Sequence, residues 1–132
     1  MSESQKHHSI GRIILVDRDI QLLQMLEMVL GREYRVVTAC SAEEGLNLMS
    51  SGEHFQVVMA SFKLPGMNGV EFLLRVNKMF PLTVRILMTS GYGDNSDVHK
   101  AVSAGHISRI ISKPFCISTL LEQLKHDLVP FT

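Results

Sequence analysis

Apolar positions fall along this chain in two alternating rhythms. Short, mostly apolar runs occupy residues 12–16, 35–39, 55–60 and 84–88, with a fifth inside 107–112. They are too short for helices and rich in Val and Ile, so they read as strands. Between them, apolar residues recur at helical spacing. Ile20, Leu23, Leu26, Met28 and Leu30 follow Asp19 as a helix cap and stop at Gly31. Leu46 and Met49 follow Ser41-Ala42-Glu43-Glu44, a capping-box signature. Val70, Leu73, Leu74 and Val76 form a third stripe before Pro81. A fourth helix runs from about 94 to 104 and closes at Gly105, and Leu120, Leu121, Leu124 and Leu128 mark a last helix after Lys113-Pro114. Met25, Met28, Met49, Met59 and Met88 lie at core spacings and read as packing residues.

Five strands alternating with five helices predict an α/β fold with a parallel sheet covered on both faces. The runs at 13–16 and 57–59 are apolar at every position, as burial of both strand faces requires. With no internal repeat, linker or low-complexity tract, the chain reads as one domain at residues 10–129. A polar leader at 1–9 and a tail at 130–132 flank it.

Composition narrows the function classes. Thirteen basic residues balance thirteen acidic ones, so no net field recommends nucleic acid or an anionic membrane as partner. No apolar run is long enough to span a bilayer. Cys40 and Cys116, distant and beside apolar elements, are expected to be packing thiols, which fits a reducing cytoplasm. The histidines show no ligand spacing.

In an open α/β sheet, ligands collect beyond the carboxyl ends of the strands. The polar residues there are Asp17, Arg18 and Asp19, then Ser61, then Thr89 and Ser90, then Lys113. An acid, hydroxyls and a lysine converging on one edge suit a phosphate or a divalent cation. Any one of them alone is what a solvated loop carries anyway. Gly91-Tyr92-Gly93 reads as a turn before a helix and is a poor match to a phosphate-binding glycine loop.

Ile14-Leu15-Val16-Asp17, Leu64-Pro65-Gly66-Met67-Asn68-Gly69, Thr89 and Ile111-Ser112-Lys113-Pro114-Phe115 together resemble the receiver domain of two-component response regulators. The likeness spans residues 12–128. The stretch at 80–89 with Ala104 to Ile107 is similar to receivers attached to cyclic-di-GMP phosphodiesterase-type outputs. The resemblance implies a flavodoxin-like, doubly wound (βα)5 fold with strand order 2-1-3-4-5, and a cis bond at Lys113–Pro114. It also implies a magnesium-assisted phosphoryl transfer to an aspartate. Carried over, Asp17 matches the first acid, Thr89 the hydroxyl and Lys113 the lysine that contact the phosphoryl group.

The departures are at the centre of that chemistry. Ser61 stands where the acceptor aspartate belongs, and no Asp or Glu occurs between Glu53 and Glu71. Arg18 stands where the second metal-binding acid belongs, and Ile110 replaces the switch aromatic. A serine hydroxyl is neutral, and Arg18 shifts the local charge by two units. At about 4 Å and an effective dielectric near 20, each unit pairing is worth roughly 4 kcal/mol, enough to disfavour a divalent cation. Asp19 reads as a cap, and Asp17 as a partner for loop amides or for the cations Arg18 and Lys113.

The expectation is a cytoplasmic signalling module, not an enzyme, working by protein–protein contact without aspartyl phosphorylation and without a cofactor. Magnesium binding is expected to be weak or absent. The resemblance puts its partner or output domain on the face at about 97–125, with homodimerisation left open. One alternative is an altered trigger, by phosphorylation of Ser61 or Thr89 or by an anion held at Arg18 and Lys113. Another is a small flavodoxin-like enzyme or nucleotide binder, since fold alone does not fix function.

Overall fold

The computed structural model describes residues 11–91 and 95–128. The leader at 1–9, the turn residues Tyr92 and Gly93, and the tail at 130–132 lie outside them.

Five parallel strands form one sheet: β1 (Arg12–Val16), β2 (Arg35–Ala39), β3 (Val57–Ser61), β4 (Val84–Thr89) and β5 (Arg109–Ser112), in the order β2-β1-β3-β4-β5. Five helices connect them: α1 (Ile20–Leu30), α2 (Ala42–Met49), α3 (Gly69–Met79), α4 (Ser96–Ser103) and α5 (Ile117–Asp127). The pleat sends alternate residues of each central strand to opposite faces. Ile14, Val16, Val58, Ala60 and Leu87 pack with Ala42, Phe72, Leu73, Val76 and Val98 from α2, α3 and α4. Ile13, Leu15, Val57, Met59, Ile86 and Met88 pack with Leu23, Leu26 and Leu30 of α1 and Leu120 and Leu124 of α5. Two cores on one sheet are the reason residues 13–16 of β1, 57–60 of β3 and 86–88 of β4 are apolar without interruption. Strand β2 lies at the edge and is only partly covered.

Local signals set the helix ends. Asp19 accepts from the Leu22 amide, and Ser41 from the Glu44 amide. Glu44 does not complete a box on Ser41; its carboxylate accepts from the Cys40 amide one residue earlier. A full capping box instead opens α3, where Asn68 and Glu71 exchange side-chain and backbone bonds. The fourth helix begins at Ser96, capped by Asn95, and Gly105 follows it with φ +79°. That left-handed conformation is why a glycine ends this helix.

Several packing expectations fail. Met28 is 64% exposed, because Leu23, Leu26 and Leu30 already form the inward stripe of α1 and Met28 falls on the opposite side. Ile20, Met25 and Leu74 are exposed as well. Met49, Met59 and Met88 do pack in the core. Cys40 and Cys116 are both exposed free thiols rather than packing residues, since each sits in a loop just before a helix.

One buried charge carries no local signal in the sequence. Arg85 of β4 is 7% exposed and has no carboxylate partner among the described residues. Its guanidinium donates to the carbonyls of Thr83 (2.6 Å), His106 (2.7 Å), Pro81 (3.1 Å) and Gly105 (3.3 Å). Burial lowers its pKa from the usual arginine range. The residue ties the loop before β4 to the loop before β5.

Candidate functional site

The sheet's carboxyl edge opens into a cleft of about 370 Å³ lined by residues from four strand ends, among them Asp17, Arg18, Ser61, Lys63, Thr89 and Lys113. Ladder bonds run past each strand and fix its exit. The Asp17 amide donates to Ala39 O, the Phe62 amide to Met88 O, and the Lys113 amide to Thr89 O. The register sets Ser61 beside Met88 and Thr89 beside Ser112. Approach of α3 to the end of β3 requires Gly69, because a Cβ there would lie 2.2 Å from the Ser61 carbonyl oxygen. The cis bond expected at Lys113–Pro114 is present.

Lys113 contacts both Asp17 and Ser61. The Lys113 ammonium donates to Asp17 Oδ2 at 2.7 Å and to Ser61 Oγ at 3.3 Å. The Asp19 amide donates to Asp17 Oδ1 at 2.9 Å. Both carboxylate oxygens of Asp17, a side chain only 2% exposed, are thus engaged by protein donors. Ser61 and Thr89 are 6% and 7% exposed, and Thr89 Oγ1 accepts from the Gly91 amide at 3.4 Å.

Arg18 lines the same cleft but is exposed and makes no ion pair with Asp17. The expected sharing of Asp17 between two cations is therefore corrected to a single pair with Lys113. The lysine reaches across from the end of β5, while Arg18 stays on the solvent side of the β1 exit. Asp19 caps α1. Ile110 is half-buried on β5 and lies away from the cleft, lining a separate opening of about 220 Å³ with Phe115, Cys116 and Leu120. Lys63 was not singled out in the sequence, although its place two residues beyond a strand end was the available signal. Among the described residues, no group of three or more His, Cys, Asp or Glu side chains could hold a metal ion.

Outside the cleft, Cys116 precedes α5 with its sulfur 3.0 Å from the Ser118 hydroxyl. That hydroxyl, followed by the amides at Thr119 and Ser118, pulls its thiol down to about 7.

Comparison with known proteins gives a consistent picture. The family model of the response regulator receiver domain matches residues 13–125. The hydrogenase transcriptional regulatory protein HoxA of Cupriavidus necator is 32% identical over 113 residues, 86% of this chain but 23% of that protein. This chain therefore spans less than a quarter of that relative's length. A crystallised signal receiver domain of an HD domain-containing protein from Pseudomonas fluorescens Pf-5 superposes with TM-score 0.82 at 33% identity, covering 91% of this chain and 88% of that one. A structure described as adenylate cyclase from Rhodopirellula baltica gives TM-score 0.84 at 28% identity, covering 90% and 87%. No helix among the described residues is long and apolar enough to cross a membrane.

Proposed function

Because this chain belongs to the response regulator receiver domain family, we propose that it is a receiver of a two-component system that signals without aspartyl phosphorylation. The observation that carries this reading is Ser61, a neutral hydroxyl at the end of β3 and within 3.3 Å of Lys113. In this reading Ser61 holds the phosphoacceptor position, and Thr89 and Lys113 hold the phosphoryl-contact positions. A carboxylate there would attack a phosphohistidine and help seat magnesium, whereas an un-ionised serine does neither at neutral pH. Magnesium keeps near-ideal octahedral coordination and depends on carboxylates. Here the buried carboxylate of the cleft, Asp17, is already committed to Lys113 and a backbone amide. Arg18 adds a fixed cation at the position of the second acid. The domain accordingly takes no metal cofactor and performs no phosphoryl transfer of its own.

Ser61 and Thr89 are each more than nine-tenths buried, which argues against a protein kinase reaching either hydroxyl. Output passes by contact with a protein partner or an attached domain in the cytoplasm. The surface of α4, β5 and α5, at about 97–125, is its docking face. Val102 is 42% exposed there, and the opening beside Ile110 gives the same face a partly apolar recess. Ile110 at the switch position lacks a ring that could report the state of the cleft.

The test is an amide chemical-shift titration with magnesium and beryllofluoride, followed by intact mass after incubation with acetyl phosphate. No saturable shift near Ser61 and no added mass are expected. A saturable response, or an adduct lost in both acid and base as an acyl phosphate on a carboxylate would be, refutes the reading.

A further inference from the structure

We propose that the outer face of α3 is the contact surface of a symmetric dimer, whose other half is a second copy of this chain with its α3 running antiparallel. This surface lies outside the docking face at about 97–125 and does not depend on what Ser61 can accept.

Charge order is the first argument. Glu71, Leu74, Arg75 and Lys78 are all exposed on α3, and at 3.6 residues per turn they fall within about 100° of arc. Glu71 stands in the first turn and Lys78 in the last. Reversing the helix about the point between Leu74 and Arg75 sets Glu71 of each copy opposite Lys78 of the other and brings both Leu74 side chains to the axis. Glu71, Arg75 and Lys78 make no ion pair among the described residues, although Glu71 and Arg75 are only one turn apart. Acid first and base last also suits the helix dipole. The dipole accounts for the charges and not for the apolar residues among and beyond them.

Those apolar residues are the second argument. Leu74 is 37%, Met79 50% and Leu82 88% exposed. Leu82 sits on a braced loop: the Thr83 hydroxyl donates to Phe55 O at 2.8 Å, and Arg85 holds the carbonyls of Pro81 and Thr83. Nothing inside one chain is gained by holding that side chain in water. At the opposite end of the same face, an opening of about 520 Å³ lies between the start of α2 and the loop before α3, lined by Glu43, Glu44, Pro65 and Met67 among others. The same reversal carries the segment just past α3, with Met79 and Leu82, toward the loop just before α3 of the other copy, where Pro65 and Met67 lie.

The two ends differ in sign as the pairing requires. From Phe72 to Gly93 there is no Asp or Glu, so the end of α3 and the loop after it are basic or neutral throughout. Glu53, which lines a recess beside Met79, is paired with Arg12 at 3.8 Å. The other end carries Glu43, Glu44 and Glu71, which an anionic bilayer would repel. A face holding both complementary halves closes on itself as a two-fold pair.

The experiment is sedimentation velocity of the whole chain at rising concentration, up to about 1 mM, where even a weak contact is populated. A monomer–dimer equilibrium that weakens as sodium chloride is raised is expected. Glu71→Lys and Lys78→Glu are each expected to weaken it at least about tenfold, because two-fold symmetry makes each change count twice. Mixing the two variants in equal amounts is expected to restore a dimer, since every lysine then faces a glutamate, a rescue that misfolding cannot imitate. Leu82→Ser, at a position already exposed in the single chain, is expected to weaken association several-fold with an unchanged urea midpoint. A chain that stays monomeric, a dimer indifferent to the charge reversals or to Leu82→Ser, or a mixture without rescue overturns the proposal. Growth beyond two chains indicates head-to-tail contact and overturns it as well. Each of these results leaves the reading of Ser61 standing.

Discussion

The pair between Lys113 and Asp17 joins the exit of β5 to the exit of β1, and it gives the sharpest quantitative test. At 2.7 Å the bare attraction is worth roughly 6 kcal/mol at an effective dielectric near 20. Most of that is offset by desolvation, because Asp17 is 2% and Lys113 25% exposed at the side chain. Replacing the lysine by an isosteric apolar residue removes the attraction but leaves the carboxylate buried on a single amide. Lys113→Met is therefore expected to cost about 3 kcal/mol. Asp17→Asn leaves an ammonium that can turn toward water, and is expected to cost about 2 kcal/mol. With both changed, no unpaired charge stays behind, and the total is expected near 3 kcal/mol, a coupling of about 2 kcal/mol. Urea unfolding of the four proteins, with constant slope, measures each value. Single costs that add within about 0.5 kcal/mol would show that the two groups act independently. That result would refute the view that Asp17 is held by Lys113 rather than kept for a metal.

Gly69→Ala is expected to destabilise by about 2–4 kcal/mol, since its Cβ would meet the Ser61 carbonyl, a backbone atom that cannot step aside. Gly91→Ala, with nothing within 4 Å, is expected to stay within about 0.5 kcal/mol in the same unfolding assay. Arg85→Met strips four loop carbonyls of their donor, that of Thr83 buried, and is expected to lower stability by about 2–4 kcal/mol, read from the urea midpoint. In a Cys40→Ser background, alkylation of Cys116 by iodoacetamide is expected to rise with pH and level off above an inflexion at about 7. The thiolate is the nucleophile, so a lowered pKa means fast reaction at neutral pH and loss of rate below it. Ser118→Ala is expected to move that inflexion upward, and an unchanged inflexion would remove the hydroxyl as its cause.

The fold was legible because its signals are local and periodic. Runs such as Ile13 to Val16 cannot be covered on one side only, and the alternation with helical stripes leaves a doubly wound parallel sheet as the economical solution. Most polar residues of the cleft were legible too, Lys63 excepted, because strand ends can be counted along the chain and an open sheet collects them at one edge. Other features depend on distances between segments far apart in sequence. That Lys113 takes Asp17 while Arg18 does not follows from where β5 exits relative to β1, ninety-six residues earlier. Met28 was placed in the core because periodicity gives a stripe but not its width, and the sheet covers only the side of Leu23, Leu26 and Leu30. Arg85 stands inside a strand with no local signal of burial, and only the fold brings carbonyls from two loops onto it and makes a buried guanidinium tolerable. Sequence fixes which side chains stand at each strand end, because chain order is covalent. Only the packed sheet decides which of them meet, because burial and hydrogen bonding are settled by the full set of neighbours at once.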